Sequence, residues 1–528
     1  MLLQDYAARS AERRPDALAV ALHGERLTYA DLEQHSNRLA AMLVEQGCAP
    51  GDRVALLTQK SPRAAVAMLA ALKARCPYVP VDVDSPAPRV AHIMRAAEPR
   101  ILLATPDAAS LLEGILAERA LPPGTLVGSL TPEAVQGEGV ETAFDERDAE
   151  ALDAAPSVER AQPEEAAHIL FTSGSTGIPK GVVITHRNVT TFVEWALRHF
   201  GTRETDRISG HPPLHFDLST FDPYATYAAG AELHMVPASA SLSPRGLAEF
   251  IRAGALTQWF SVPSVLTYLA KFDAVTQDDF PALERLLWCG KVLPTPVLAH
   301  WMRRLPHARF TNLYGPTEAT IASSFFDVPG VPEDERRPVP IGTACDDEEL
   351  LVLDEQLGPV PAGEIGELFI GGAGLSPGYW RDAERTGAVF VADPRPGRDG
   401  GRIYRTGDLA RMDGDGVVHF LGRTDSQIKS RGYRIELGEI ETVLETVEGL
   451  RECAVVGVDT GGFEGTAICC AYASVDGKQL EAPELRSALA EQLPTYMLPS
   501  RWIELDALPK NVNGKIDRPA LRERFSET

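Results

Sequence analysis

Between residues 30 and 46 the apolar positions Leu32, Leu39, Met42 and Leu43 recur at helical spacing, which predicts an amphipathic helix over Ala30–Gln46. Arg53–Leu57 reads as a short buried strand, Arg63–Ala74 as a second helix, and Tyr78-Val79-Pro80-Val81 as another strand. Such alternation predicts α/β layers. Residues 131–165 are rich in Glu, Ala and Pro with weak periodicity, and read as a surface connection. The alternation then resumes to about residue 330. From 350 to 424 short apolar runs (Glu349–Leu353, Gly366–Ile370, Val417–Leu421) are broken by Gly and Pro, the pattern of a smaller β-rich unit. A boundary is expected near Asp425. Beyond it the pattern gives a helix over Ile435–Val447, strands over Cys453–Val458 and Ala467–Ala473, and a helix over Pro483–Gln492. The predicted class is α/β: a large multi-layer N-terminal domain, residues 1–424, of two α/β subdomains plus a β-rich one. A small mobile α+β C-terminal domain, residues 425–528, completes it.

With 528 residues the chain is too long for one hydrophobic core, in keeping with this division. Its 51 Lys and Arg against 74 Asp and Glu give a net charge of −23, which argues against nucleic-acid binding. A phosphate site would then have to be cationic locally or built from backbone donors. No apolar run is long enough for a membrane span, and the N-terminus lacks the basic and apolar regions of a signal peptide. The seven cysteines form no C-x-x-C pair, and reduced thiols in a cytoplasmic protein are the expectation. Cys469 and Cys470 lie in a strand-like run and are expected in the core.

The densest chemical signal is Phe171-Thr-Ser-Gly-Ser-Thr-Gly-Ile-Pro-Lys-Gly181. Apolar runs at His168–Phe171 and Val182–Ile184 flank it, so two strands joined by a Gly/Ser/Thr loop are predicted. Such a loop gathers backbone N–H groups and hydroxyls suited to phosphate. Its spacing departs from the P-loop pattern. A plain Gly/Ser surface loop fits the same composition.

Other motifs follow in order: Asn312-Leu-Tyr-Gly-Pro-Thr-Glu318, Gly366-Glu-Leu368, Tyr404-Arg-Thr-Gly-Asp408 and Leu421-Gly-Arg-Thr-Asp425. They continue with Lys429-Ser-Arg-Gly-Tyr-Arg-Ile-Glu-Leu-Gly-Glu-Ile-Glu441, Leu493-Pro-Thr-Tyr-Met-Leu-Pro499 and Asn513-Gly-Lys515. The ordered set, from Leu27 to Lys515, resembles the ANL superfamily of adenylate-forming enzymes. It is most similar to amino-acid adenylation domains of nonribosomal peptide synthesis and to D-alanine– and proline–carrier-protein ligases. One departure is Leu72-Lys-Ala-Arg-Cys-Pro-Tyr-Val-Pro80, where the family usually has Leu-Lys-Ala-Gly before Tyr-Val-Pro.

The resemblance implies two half-reactions: a carboxylate attacks the α-phosphate of ATP, and a thiol then takes the acyl group. It implies that Thr172, Ser173, Gly174, Ser175, Thr176, Gly177 and Lys180 hold the outer phosphates. A solvated surface lysine is the alternative for Lys180. Glu318 would bind Mg²⁺, which favours oxygen donors. Thr317 would touch the α-phosphate, Tyr314 would stack on adenine, and Gly290 and Gly315 would lie near the nucleotide. Asp408 would accept the ribose hydroxyls, with Arg423 assisting. Lys515 would be the catalytic lysine, Asp425 the hinge of the C-terminal domain, and Gly432 part of the loop that replaces Lys515 for thiolation. Asp217, in Leu214-His-Phe-Asp-Leu-Ser-Thr-Phe-Asp222, would grip an amino acid's ammonium, while Asp222 reads as structural and His215 or Phe216 as a gate.

Motif-anchored matching places Leu218, Phe221, Ser261, Leu287, Cys289, Leu313, Ile321 and Ala322 around the acyl pocket. Apart from Ser261 the set is apolar or weakly polar, so a small neutral amino acid of alanine or proline size is expected. Cys289 is either a substrate contact or a small core residue. No Gly-Gly-x-Ser carrier motif follows Lys515, so a freestanding enzyme is expected. It would load the phosphopantetheine of a separate peptidyl or acyl carrier protein. An acyl- or aryl-CoA synthetase and an inactive scaffold member are the alternatives.

Overall fold

A computed structural model describes residues 1–152, 159–174, 179–398, 400–423, 427–430, 432–460, 466–475, 480–510 and 516–527. The architecture is α/β. Two large sheets, one of nine strands and one of eight, lie beside a five-stranded sheet. Beyond residue 426 come a two-stranded hairpin and a three-stranded sheet with its own core.

The helices Tyr29–Glu45 and Pro62–Lys73 and the strands Val54–Leu57 and Tyr78–Pro80 fall where the apolar pattern puts them. Thr28 and Ser61 begin the two helices by accepting hydrogen bonds from the N–H groups of Asp31 and Ala64. Val54–Leu57 is wholly buried because it lies inside the eight-stranded sheet, between Tyr78–Pro80 and Ile101–Ala104. Residues 131–165 depart from the surface connection the sequence suggests. Thr142–Phe144 adds an edge strand to that sheet, and Asp145 caps a short helix, Glu146–Glu150. A few scattered buried residues, Val135, Phe144 and Ala149, anchor the segment, too sparse to register as periodicity.

The strands Ala166–Thr172 and Lys180–Thr185 pair antiparallel, with Thr172 opposite Lys180, so the Gly/Ser/Thr segment joins two adjacent strands. In the nine-stranded sheet Arg207–Gly210, Gln258–Ser261, Arg285–Trp288 and Arg309–Tyr314 run parallel. Their C-terminal ends therefore lie along one edge and deliver His211, Val262, Cys289 and Gly315 to the same side. Ligands of open α/β sheets bind at that edge.

In the C-terminal part, Tyr433–Glu436 is a strand paired with Gln427–Ser430, and the helix spans only Leu437–Leu444. The predicted helix start at Ile435 is thus corrected: Ile435 pairs with Ile428 and is buried within the C-terminal core. Strands Leu450–Asp459 and Thr466–Ser474 extend the predicted ones, and Arg501–Glu504 adds a third that the pattern did not announce. Cys469 and Cys470 are both fully buried, on opposite faces of this sheet, as strand alternation requires. All seven cysteines are buried thiols outside any disulfide.

Glu348 shapes the loop behind Glu318. It accepts the Gly374 N–H at 2.6 Å, and the Gly374 carbonyl accepts the Thr320 hydroxyl at 2.7 Å. Burial pushes the Glu348 carboxyl up to about 8 from 4.5. A raised carboxyl holds its proton in the folded chain, so this stability is complete below about 4.5 and is lost as pH rises through about 8. Glu348→Gln is expected to melt like the parent at about pH 5 and at a higher temperature at about pH 8.5, as thermal denaturation at both pH values checks.

Candidate functional site

Glu318 is the electrostatic centre of the site. It is fully buried, in the short turn that follows strand Arg309–Tyr314. One carboxylate oxygen accepts Lys180 Nζ at 3.1 Å and the Tyr379 hydroxyl at 2.7 Å, and the other accepts Arg434 at 2.7 Å. Burial opposes the charge on Glu318, but Arg434 and Lys180 outweigh it and hold the carboxyl well below its ordinary value. Lys180 also donates to the Tyr379 hydroxyl at 3.0 Å, and its side chain is 11% exposed. Lys180 is therefore held against Glu318 and Tyr379 rather than solvated. A buried, ionised carboxylate with an adjacent lysine suits a hard cation that takes its remaining ligands from phosphate oxygens. Among the described residues no three His, Cys, Asp or Glu side chains cluster into a fuller metal site.

Asp217 stands just before helix Leu218–Ala229. The Thr317 hydroxyl donates to its Oδ2 at 2.6 Å, so Thr317 is partnered by the acid expected to hold substrate. Burial raises the Asp217 carboxyl, while the Thr317 bond and the charge of Lys429 work against the rise. Asp217, Leu218, Cys289, Gly290, Gly315 and Thr317 line one cavity. Burial pushes the Cys289 thiol up to about 12, so it forms a neutral wall of the cavity while also packing in the core.

Leu287, Leu313, Phe221, Ile321 and Ala322 belong to the same buried core cluster as Leu218 and Cys289, but only Leu218 and Cys289 line the cavity. Ser261 is fully buried and accepts Trp259 Nε1 at 2.9 Å, so its hydroxyl is committed to the core. Asp222 is also buried. Desolvation pushes its carboxyl far up, opposed by the charge of Lys60.

The predicted nucleoside residues also converge. The Tyr314 hydroxyl donates to one oxygen of Asp408, and Arg423 donates to the other at 2.5 Å. Strands Arg402–Met412 and Val418–Arg423 set this pair, with Asp408 opposite Arg423. Gly315 has a packing reason independent of any ligand: a Cβ there would lie 2.7 Å from Ala322 Cα.

Thr172, Ser173 and Gly174 sit at the end of strand Ala166–Thr172, and the first two line the same cavity. Ser175, Thr176, Gly177, the hinge position Asp425 and Lys515 lie outside the described residues. Gly432 closes the cavity from the C-terminal side. A Cβ there would lie 2.8 Å from Val262, and its φ is +89°, a conformation that favours glycine. The neighbouring Tyr433 ring meets Phe216 edge-on at 4.9 Å and stacks on Tyr496 at 3.6 Å.

Several site residues escaped the sequence reading. Tyr379 carries no motif signal, since only the fold brings strand Gly378–Tyr379 beside Lys180–Thr185. Arg434 and Lys429 lie in a quoted motif, but spacing alone cannot place a hairpin 116 residues away against Glu318. A second groove of about 940 Å³ adjoins the cavity. His215, Phe216, Val262, Gly432 and Tyr433 line both spaces, and Lys60 lines the groove alone.

The fold is built in two parts, and each part matches a family model. The family model of AMP-binding enzymes matches residues 7–380, and that of the AMP-binding enzyme C-terminal domain matches residues 439–515. The chain belongs to the AMP-binding enzyme family. It is 37% identical over 498 residues to an L-proline–[L-prolyl-carrier protein] ligase of Streptomyces coelicolor, covering 93% of this chain and 91% of that protein. It is 32% identical over 514 residues to tyrocidine synthase 1 of Brevibacillus parabrevis, covering 97% of this chain but only 44% of that synthase. Among solved structures, the amide bond synthetase McbA of Marinactinospora thermotolerans superposes with a TM-score of 0.86 at 26% identity, covering 99% of this chain and 100% of that one. The Vibrio cholerae adenylation domain AlmE, in complex with glycyl-adenosine-5'-phosphate, gives 0.84 at 26% identity, covering 100% and 98%. No helix among the described residues is long and apolar enough to cross a membrane.

Proposed function

We propose that this chain joins a small neutral amino acid to AMP with release of pyrophosphate, then passes it to the phosphopantetheine thiol of a carrier protein. The observation that carries this reading is the position of Asp217: a half-buried carboxylate in the wall of the cavity that Thr317, Tyr314 and Asp408 also line. An anion that loses water in such a cavity is stabilised by an ammonium ligand, and fatty or aryl acids bring none. Tyr314, Asp408 and Arg423 would hold the nucleoside, and Thr172, Ser173 and Lys180 the outer phosphates. Glu318 would hold Mg²⁺, which supplies charge neutralisation between the two reacting anions. Lys515 would stabilise the charge that develops on the attacking carboxylate and α-phosphate. The uncharged wall of Leu218 and Cys289, with the apolar layer behind it, supports a side chain of alanine or proline size. A proline ligase among the relatives and a glycyl adenylate in a similar structure agree with that size. The groove beside Gly432 offers the thiol its route.

The transfer half is tested by intact-mass measurement of a phosphopantetheine-bearing carrier incubated with the enzyme, ATP and the amino acid. The carrier is expected to gain the aminoacyl mass, whereas a gain only on coenzyme A would favour a CoA ligase. Arg423→Met removes a charged hydrogen bond from Asp408, a loss of about 1.5–3 kcal/mol. It is expected to raise the KM for ATP by roughly ten- to a hundredfold, leaving the KM for the amino acid unchanged in exchange kinetics.

A further inference from the structure

His215 stands where the cavity meets the groove, and it lines both. It belongs to the loop between strand Arg207–Gly210 and helix Leu218–Ala229. The Ser219 hydroxyl fastens that loop from the helix side, donating to the Leu214 carbonyl at 3.0 Å and to the Phe216 carbonyl at 2.6 Å. The two anchored carbonyls flank His215, whose ring packs against the Phe216 ring at 4.9 Å. His215 Nε2 is shut off from bulk solvent and has no hydrogen-bond partner among the described residues. A buried polar atom in that state calls for a partner from outside the chain. Burial keeps the ring neutral, Asp82 and Asp84 favour its protonated form, and Arg89, itself paired with Glu439, opposes it. Asp82 and Asp84 both line the groove. A neutral imidazole that carries its proton on Nδ1 offers Nε2 as an acceptor.

Resting on the carrier-loading reading above, we propose that His215 is the general base of thioester formation, taking the proton of the carrier's thiol at Nε2. The sulfur lone pair forms the bond to the acyl carbon. The bond from that carbon to the adenylate's phosphate oxygen breaks, and its electron pair leaves with AMP. The thiol proton passes to His215 Nε2 and is handed on to solvent through the groove that Asp82 and Asp84 line. The leaving group needs no acid, because AMP departs as a stable phosphate anion. The nucleophile does need help, because a thiol is only a few per cent ionised at neutral pH. His215 therefore acts in the second half-reaction, where a thiol is present, and touches the reacting sulfur there.

The test uses the full chain, a phosphopantetheine-bearing carrier and preformed aminoacyl-adenylate in single turnovers. His215→Gln keeps a polar group in the loop but cannot take a proton. At pH 7 it is expected to slow transfer about thirtyfold, because a thiol of ordinary pKa, about 8.5, is then about 3% ionised. The deficit is expected to shrink as pH rises and to be gone by about pH 9.5, where the thiol ionises unaided. A carrier whose thiol is replaced by a selenol is already ionised at neutral pH, so parent and variant are expected to load it at equal rates. Asp84→Asn, at an exposed position, supplies a second variant. It removes one carboxylate that favours the charged ring, and is expected to slow thiol transfer by about two- to fivefold with selenol transfer unchanged. A gate or packing role would depress thiol and selenol transfer alike at every pH. That outcome, or an unchanged rate in His215→Gln at pH 7, overturns the inference. A parent enzyme that loads no carrier overturns the transfer reading and this inference together. A parent that loads while His215→Gln shows a pH-independent deficit overturns the base alone, and amino-acid-dependent pyrophosphate exchange reports separately on adenylation.

Discussion

Asp217→Ala is expected to lower kcat/KM for the amino acid by between a hundred- and several-thousand-fold, with the KM for ATP little changed. The reason is the state of the bound complex. Asp217 is half-buried in the cavity wall, and its described partners are the Thr317 hydroxyl and the charge of Lys429. With an amino acid bound, the carboxylate and the ammonium form a desolvated ion pair. Removing one member leaves the other buried and unpaired, which costs about 3–5 kcal/mol. Each 1.36 kcal/mol is a factor of ten in rate, which gives the range stated. The parent enzyme should also show a pH dependence of known sign. Burial raises the Asp217 carboxyl and ammonium binding needs the ionised form, so kcat/KM for the amino acid should climb as pH rises through that ionisation. In Asp217→Ala this limb should vanish. Steady-state exchange across pH, parent against variant, checks both statements.

Lys515→Ala is expected to slow adenylate formation by about 10²–10³-fold, the usual effect of removing one donor from developing transition-state charge. Transfer of a supplied aminoacyl-adenylate to the carrier should survive. The distinction follows from how the C-terminal sheet divides its two faces. One face packs against Ile435, Leu437 and Tyr433, and so carries the hairpin that reaches the site. The other packs against Leu508, Leu521 and Ile516, the last being the residue that follows Lys515. The hairpin and the segment that begins at Ile516 thus belong to opposite faces of one small sheet. Under the proposed reading, presenting one to the acyl site withdraws the other, so a variant at residue 515 should separate the half-reactions. Single-turnover measurements with ATP plus amino acid, and with preformed adenylate plus carrier, read the two steps independently.

The α/β layering was legible in the sequence because strands such as Val54–Leu57 are buried on both faces and their helices carry regular apolar stripes. The antiparallel strands around the Gly/Ser/Thr loop were legible for the same reason. Legibility failed where a few scattered residues do the anchoring, as with Val135, Phe144 and Ala149, or where a β-hairpin and a helix share one apolar run, as at Ile435. The site divides in the same way. Motif order brought Lys180, Glu318, Asp217, Thr317, Tyr314, Asp408 and Arg423 into view, and the fold draws each into contact with another of the set. Tyr379, Arg434 and the Arg89–Glu439 pair were out of reach. Each depends on a contact between segments far apart in the chain, and no local pattern encodes such a contact.

The central claim, that this site activates an amino acid through its ammonium and carboxylate together, is tested most directly by ATP–pyrophosphate exchange. The panel comprises all D- and L-amino acids, proline analogues, and aryl and fatty acids. The account predicts strong exchange with a small neutral amino acid and none with acids that lack an α-ammonium. Exchange supported by aryl or fatty acids, or by no acid at all, would contradict it.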